Sequence, residues 1–146
     1  MSHWLYQNKI LNVAPESAFG FVYQITDLTN NKKYIGRKYF EQKRRVKKKG
    51  QKRRKVVRKD SGWRTYTGSS KVLNEAINKS GISKFKFEIL AFGYTKGQVN
   101  YLEENIQHRL QVIIDDTYYN DCIGSRKWLS VKFNDKQKQQ LLSKVN

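Results

Sequence analysis

The sequence predicts a small α/β domain of the α+β type, in which helices flank a three-stranded antiparallel sheet. Three observations support this prediction. The chain has 146 residues, which suits a single domain over residues 1–146. Hydrophobic residues make up 38% of it and aromatic residues 13%, which is enough for a modest core. Patterned segments follow one another in the order strand, strand, helix, strand, helix.

Two neighbouring segments predict a β-hairpin. Residues 20–25 are rich in β-branched and aromatic side chains, as strands are. Residues 27–32 contain Asp, Thr and Asn, which favour turns because their side chains bond the nearby backbone. Residues 33–36 then predict a second strand, so residues 20–36 form an antiparallel pair.

A helix and a third strand follow the hairpin. Apolar residues recur at helical spacing after residue 71. Ser69 or Ser70 can cap the start of this helix, and Gly81 can end it. Residues 85–89 alternate between apolar and polar, which predicts the third strand.

Two more helices are predicted from capping patterns. Thr95 and Gln98 match a capping box, in which the two side chains satisfy free backbone donors at a helix start. The apolar stripe of that helix would comprise Val99, Leu102, Ile106 and Leu110. Asn134 and Gln137 predict a last short helix that ends near Val145.

Positive charge is concentrated in one part of the chain. There are 30 Lys or Arg against 12 Asp or Glu, a formal net charge of +18, and residues 37–59 hold 14 of the basic residues with a single acid. A surplus of this size predicts a polyanionic partner rather than a particular fold. Such a block can be a solvated, disordered loop. Because patterned sequence flanks it, we interpret residues 37–62 as a basic insertion that contacts phosphates.

Several classes of protein are excluded. No apolar run approaches the roughly 18–20 residues of a membrane span, and the N-terminus lacks the charged-then-apolar pattern of a signal peptide. Cys122 is the only cysteine, which excludes an internal disulfide and a CxxC zinc site. We therefore expect a cytoplasmic protein with no membrane partner.

The hairpin carries the most informative motif. Its strands contain Phe-Val-Tyr at residues 21–23 and Tyr-Ile-Gly at residues 34–36. Farther along, Leu-Glu at 102–103 lies in a predicted helix, and Tyr-Asn stands at 119–120. In this order the segments resemble the GIY-YIG nuclease family, and in particular its phage-type (Seg-like) homing endonucleases. The resemblance covers about residues 20–125 and departs from the family pattern where Phe replaces the leading Gly of the first tripeptide.

The resemblance implies a fold, an activity and a set of site residues. It implies a metal-dependent DNA endonuclease that hydrolyses phosphodiester bonds to 5′-phosphate and 3′-hydroxyl ends. Mg²⁺ or Mn²⁺ is the implied cofactor and double-stranded DNA the implied partner, with a homodimer on DNA left open. The catalytic positions of the family fall on Tyr23, Tyr34, Arg44, Glu103 and Asn120.

Each of these residues has an implied role. Tyr23 would help to deprotonate the attacking water, and Tyr34 would position water or phosphate. A free tyrosine has a pKa of about 10, but a nearby metal and cations would favour its phenolate. Arg44, ten residues after Tyr34, would grip the phosphate through its planar guanidinium. Asn120 would anchor the site through its amide.

Glu103 is the implied metal ligand. One carboxylate is enough because Mg²⁺ keeps several waters and takes only one or two protein carboxylates beside substrate phosphates. Glu103 falls at the edge of the predicted stripe, one turn after Val99. Glu104 remains a competing candidate, since spacing barely separates the two.

The basic insertion supplies the predicted DNA contacts. These are Arg37, Lys38, Arg45, Lys47, Lys48, Lys52, Arg53, Arg54 and Lys55. Composition alone leaves two other functions open: a non-catalytic basic nucleic-acid-binding protein, and a basic structural protein of a ribosome or nucleoid.

Overall fold

The structure, a computed structural model, describes residues 1–47, 49–50, 52–53, 55–128 and 133–143. Its strands are β1 (Leu5–Tyr6), β2 (Lys9–Ile10), β3 (Gly20–Asp27), β4 (Lys33–Tyr39), β5 (Glu41–Val46), β6 (Lys55–Asp60), β7 (Phe85–Gly93), β8 (Cys122–Ile123) and β9 (Arg126–Lys127). Its α-helices are α1 (Lys71–Ser80), α2 (Lys96–Arg109) and α3 (Asp135–Ser143). Short 3₁₀ turns occupy Trp63–Thr65 and Ile82–Lys84.

The central sheet has five strands in the order β2-β1-β7-β3-β4. The predicted hairpin is confirmed as β3–β4, and β7 is the predicted third strand, antiparallel to β3. The prediction of a purely antiparallel, three-stranded sheet is wrong, because β1 joins β7 in parallel and β2 follows β1. These added strands are two residues long, too short for a period-of-two pattern to reveal. The α+β class is confirmed.

The N-terminal segment belongs to the core, although the resemblance was taken to begin at residue 20. Trp4 is fully buried and its indole donates to the Trp63 carbonyl at 2.7 Å. Its ring packs edge-on against Phe21 and Phe87, at 5.2 and 5.3 Å between ring centroids. The aromatic cluster under the sheet thus depends on a residue that sequence patterning did not select.

Helix starts follow the predicted capping chemistry. Ser70 caps α1 by accepting from Leu73 N at 3.3 Å, and Gly81 ends the helix with φ 89°. Thr95 caps α2 by accepting from Gln98 N at 3.0 Å. The Gln98 side chain returns its bond to Tyr94 N rather than to the cap itself.

The third helix begins with a complete capping box. Asn134 and Gln137 each accept from the other's backbone N–H, at 2.8 and 3.1 Å. The helix ends at Ser143, and the predicted end near Val145 lies outside the described residues.

Helix α2 buries a different stripe from the one predicted. The buried residues are Val99, Glu103 and Gln107, whereas Leu110 is 38% exposed. Glu103 therefore stands at the centre of the buried face and not at its edge. The face is polar because it lies beside β4, where Gln107 bonds the Ile35 carbonyl.

The basic insertion forms a second hairpin. Strands β5 and β6 pair antiparallel, with Lys43 opposite Arg58, in a two-stranded sheet separate from the central one. Every residue of β6 is exposed, including Val56 and Val57. The basic insertion was predicted to start at residue 37, which is too early, because residues 37–39 are the end of β4. None of the described helices has the length and apolar character needed to cross a membrane.

Candidate active site

A cavity of about 570 Å³ lies beside β4, one of the two edge strands of the central sheet. Tyr23, Tyr34 and Glu103 all line it. These residues come from β3, β4 and α2. Three of the five residues selected from the sequence as catalytic are therefore brought together in one place.

The phenol of Tyr23 reaches the cavity because residue 36 is a glycine. Tyr23 and Gly36 are register partners in the β3–β4 pair. A Cβ atom on Gly36 would lie 2.5 Å from Tyr23 Oη and 3.0 Å from Tyr34 Cε1. Any side chain at position 36 would thus occupy the space that both phenols use.

Both phenols lie on one face of the sheet. Tyr34 pairs with Ile25, two residues along β3 from Tyr23, and side chains two apart share a face. The two ring centroids are 6.2 Å apart. The hydroxyl of Tyr34 lies 3.4 Å from Ser69 Oγ at the start of the α1 loop.

The protein's own groups keep both phenols protonated. Burial raises the pKa of Tyr23 well above its ordinary value, and Tyr34, Tyr66 and Glu103 raise it further. Burial also raises the pKa of Tyr34 to about 12, although its bond to Ser69 acts in the opposite direction. The surroundings of Tyr23 are thus phenols and a carboxylate rather than the cations expected from the sequence.

Glu103 is a buried carboxylate with one strong partner. It is 5% exposed, and Arg37 Nη1 donates to its Oε1. Burial raises the pKa of Glu103, while the charge, guanidinium and backbone of Arg37 lower it again. The competing candidate Glu104 is exposed, lies against Gly124 and does not line the cavity.

Asn120 acts on the outer edge of β4. Its Oδ1 accepts from Ile35 N at 3.0 Å and its Nδ2 donates to Ile35 O at 2.7 Å. It is not among the residues that line the cavity. The amide thus anchors the strand that carries Tyr34, which is a positioning role.

Sequence analysis missed a second residue that holds the same strand. Gln107 is buried, donates to Ile35 O at 2.9 Å and accepts from Gly124 N at 2.8 Å. It ties β4 to the β8–β9 turn across the cavity wall. Its position one helical turn after Glu103 was the available signal.

Among the residues that the structure describes, three cationic side chains line the cavity: Arg37, Lys71 and Lys127. Of these, Arg37 was predicted only as a DNA contact, and Lys71 and Lys127 were not predicted as site residues. Lys71 could have been found because it follows the Ser70 cap of a helix beside the motif. No sequence signal pointed to Lys127.

The structure places Arg44 in β5, opposite Val57, on the separate hairpin. The Arg44 side chain lies outside what the structure describes. The guanidinium among the described cavity residues is that of Arg37.

Apart from Arg37, which lines the cavity, the predicted DNA contacts divide into three groups. Lys48 and Arg54 lie outside the described residues. Lys38 is half-buried, with its Nζ 4.1 Å from the centre of the Tyr66 ring, and burial lowers its pKa against the opposing effect of Asp60. The members exposed to solvent are Arg45, Lys47, Lys52, Arg53 and Lys55.

Cys122 also lines the cavity. Burial raises the pKa of its thiol to about 11, and Asp121 adds to the effect. The group is therefore a neutral thiol at neutral pH.

The donor set at Glu103 suits a hard divalent cation that keeps most of its waters. Within the described ranges no three His, Cys, Asp or Glu side chains cluster, which argues against a closed zinc-type site. Glu103 and Asp121 are the carboxylates among the described residues that line this cavity, and its size leaves room for water and phosphate oxygens. Glu103 is thus able to hold Mg²⁺ or Mn²⁺.

The family is settled by a sequence comparison. A family model described as "Putative endonuclease segE, GIY-YIG domain" matches residues 4–123. This chain belongs to the SegE-type GIY-YIG family. Comparison with curated proteins gave no match, and neither did comparison with solved structures.

The matched range agrees with the observed packing. It begins at Trp4, the buried residue that closes the aromatic cluster, and extends past Asn120. The SegE-type GIY-YIG match thus includes β1 and β2, which the resemblance stated from the sequence left out. The family assignment makes this chain a nuclease domain of the endonuclease class.

Proposed function

We propose that this GIY-YIG protein is a metal-dependent DNA endonuclease of the phage-type homing class, acting in the cytoplasm. It would hydrolyse a phosphodiester bond of double-stranded DNA to 5′-phosphate and 3′-hydroxyl ends. The observation that carries the proposal is the single cavity lined by Tyr23, Tyr34 and Glu103. A purely structural role would not require a buried carboxylate and two phenols to share an open cavity.

Glu103 would hold the divalent cation. When bound there, Mg²⁺ or Mn²⁺ supplies positive charge to the phosphate and activates water. Burial raises the pKa of Glu103 and the Arg37 guanidinium opposes that rise; a bound cation would favour the ionised carboxylate in the same way.

The phenols would act as hydrogen-bond donors. Both hold their protons at neutral pH, so each can donate to a phosphate oxygen or orient a water. This fits the positioning role expected of Tyr34. It argues against Tyr23 taking a proton from water by itself, because its phenolate is strongly disfavoured by burial.

The basic hairpin β5–β6 would bind the DNA backbone. Its described Lys and Arg side chains are exposed to solvent, and a two-stranded ribbon has dimensions that the major groove of B-DNA admits. Each phosphate it neutralises would add about 0.9 to the slope of log affinity against log salt.

The test is cleavage of supercoiled plasmid with and without Mg²⁺ or Mn²⁺. We expect wild type to cut only with metal. Glu103→Gln should cut at least about 100-fold more slowly, the scale seen when one charge-stabilising group is removed, with DNA affinity retained. Glu104→Gln is the matched control, because it removes an adjacent exposed carboxylate and should leave cleavage unchanged.

Two results would refute the proposed endonuclease activity, and each would indicate a different function. A wild type that binds duplex DNA but never cuts it with either metal would be a non-catalytic nucleic-acid-binding protein. Preference for ribosomal RNA over duplex DNA, again without cutting, would indicate a basic structural protein.

A further inference from the structure

Arg37 and Glu103 neutralise each other where the metal would bind. The guanidinium of Arg37 donates to Glu103 Oε1, and the two side chains are 30% and 6% exposed. Both residues line the cavity that Tyr23 and Tyr34 share. A cation bound through Oε1 would therefore compete with the guanidinium for the same oxygen.

The guanidinium is held in place by a second contact. Its Cζ lies 5.7 Å from the centre of the Tyr39 ring, and the Tyr39 hydroxyl donates to Asn100 Oδ1 at 2.5 Å. Tyr39 is thus fixed to α2, the helix that carries Glu103. Arg37 therefore has an aromatic neighbour in addition to its contact with Glu103.

The position of the carboxylate does not depend on the guanidinium alone. Glu103 is buried on the face of α2, and α2 packs against β4. This packing does not involve the guanidinium, so it remains when the side chain of residue 37 is replaced.

We infer that Arg37 exchanges partners during the reaction, releasing Glu103 to the divalent cation and binding the scissile phosphate with its guanidinium. The inference rests on the proposed function. The planar guanidinium suits both partners, since carboxylate and phosphate each accept two parallel N–H bonds. Without DNA, Arg37 holds Glu103 and weakens metal binding. With DNA in the cavity, the phosphate gives the guanidinium another anion, so metal and DNA bind cooperatively.

This assigns to Arg37 the phosphate-binding role that the family resemblance implied for Arg44. Arg37 lines the cavity, whereas Arg44 stands in β5 of the separate hairpin. Arg37 is therefore a catalytic residue of the proposed reaction in addition to a DNA contact.

The first measurement is Mn²⁺ binding to the full chain without DNA, followed by the electron paramagnetic resonance signal of free Mn²⁺. Arg37→Met should bind Mn²⁺ about 10- to 100-fold more tightly than wild type. This is the factor by which the loss of one competing hydrogen bond to a charged group changes a binding equilibrium. Arg37→Lys, which keeps the charge, should show a smaller gain. Arg109→Met is the control, because it removes an exposed arginine of α2 that does not line the cavity.

The second measurement is single-turnover cleavage at saturating Mn²⁺. Arg37→Met should cut at least about 100-fold more slowly, although its metal site binds more tightly, whereas Arg109→Met should cut at the wild-type rate. Structural damage would weaken both metal binding and cleavage. Tighter Mn²⁺ binding together with slower cleavage therefore identifies the exchange.

Each remaining outcome has one meaning. If Arg37→Met binds Mn²⁺ no more tightly than wild type, the exchange is refuted. If it binds more tightly but cuts at the wild-type rate, the phosphate role is refuted. If Glu103→Gln binds Mn²⁺ as well as wild type does, the metal site is elsewhere and the proposed function fails on its own account.

Discussion

Replacing Gly36 by alanine tests how the phenol of Tyr23 enters the cavity. The added Cβ would lie 2.5 Å from Tyr23 Oη and 2.6 Å from its Cζ. The optimal separation of nonbonded carbon atoms is roughly 3.5–4.0 Å, so the Tyr23 ring would have to move away by about 1 Å. It has little room to do so, because Tyr23 is 1% exposed and its ring lies 4.8 Å from that of Trp4.

This crowding should lower both the free energy of unfolding and the cleavage activity of Gly36→Ala. Overfilling a packed site costs about 1–3 kcal/mol, and for a chain of this length each kcal/mol lowers the melting temperature by about 2–4 °C. Urea unfolding followed by fluorescence of the buried tryptophans gives the free energy of unfolding directly. Plasmid cleavage by the folded variant should fall as well, because the phenol is displaced from the cavity.

Gly97→Ala is the matched control. Gly97 lies in α2, where, among the described residues, an added Cβ would meet only Thr95 Oγ1, at an ordinary contact distance of 3.9 Å. The same substitution there should raise the free energy of unfolding by about 0.5–1 kcal/mol, because alanine loses less backbone entropy in a helix. A Gly36→Ala variant as stable and as active as wild type would show that the phenol does not cross the strand at this point.

Three further predictions concern β4 and the basic hairpin. Asn120→Asp turns the amide that donates to Ile35 O into an acceptor; we expect the free energy of unfolding to drop by about 1–3 kcal/mol in urea, and an unchanged value would contradict the anchoring role. Because burial raises the pKa of Tyr34 to about 12, the folded state keeps this proton while the unfolded chain loses it from about pH 10. Between pH 10 and about 12 the free energy of unfolding should therefore fall by up to about 1.4 kcal/mol per pH unit from this group, and the fall should be shallower in Tyr34→Phe. Lys43→Gln in β5 should reduce the salt slope of DNA binding by about 0.9, whereas Lys9→Gln in β2, at the far edge of the sheet, should leave it unchanged.

Local structure was predictable where one side chain carries the signal. The caps Ser70 and Thr95 and the helix-ending Gly81 appear where the sequence placed them. Each acts within one turn of backbone, so no tertiary information was needed. The β3–β4 hairpin was equally accessible because turn residues separate two β-branched segments.

Features that depend on packing across the chain were not predictable. Strand β1 exists because it pairs in parallel with β7, more than 70 residues away. The phase of α2 depends on β4, since Glu103 and Gln107 turn inward to meet Arg37 and Ile35. The buried face of α2 was predicted from its apolar residues alone, so the prediction could not place Glu103 and Gln107 at the centre of that face.

The candidate site was predictable in part. Tyr23, Tyr34 and Glu103 were selected through the order of motifs and share one cavity. The pairing of Glu103 with Arg37 was not foreseen, because the basic insertion offers cations at almost every position. Counting residues from Tyr34 could not distinguish a side chain in β4 from one on the neighbouring hairpin.

The geometry shows what the missing glycine of the first tripeptide and the retained glycine of the second each do in this chain. The glycine of the second tripeptide, Gly36, lies under the Tyr23 phenol and leaves no room for a Cβ. The position where the first tripeptide lacks its glycine holds Phe21, which is fully buried and packs on Phe40 and Trp63 at 5.3 and 6.1 Å between ring centroids. Phe21 is not among the residues that line the cavity, so a large side chain there adds to the core and leaves the phenols undisturbed. The first tripeptide, Phe-Val-Tyr, departs from the family pattern at Phe21 but keeps the tyrosine. Tyr23 is the residue of this tripeptide that lines the cavity.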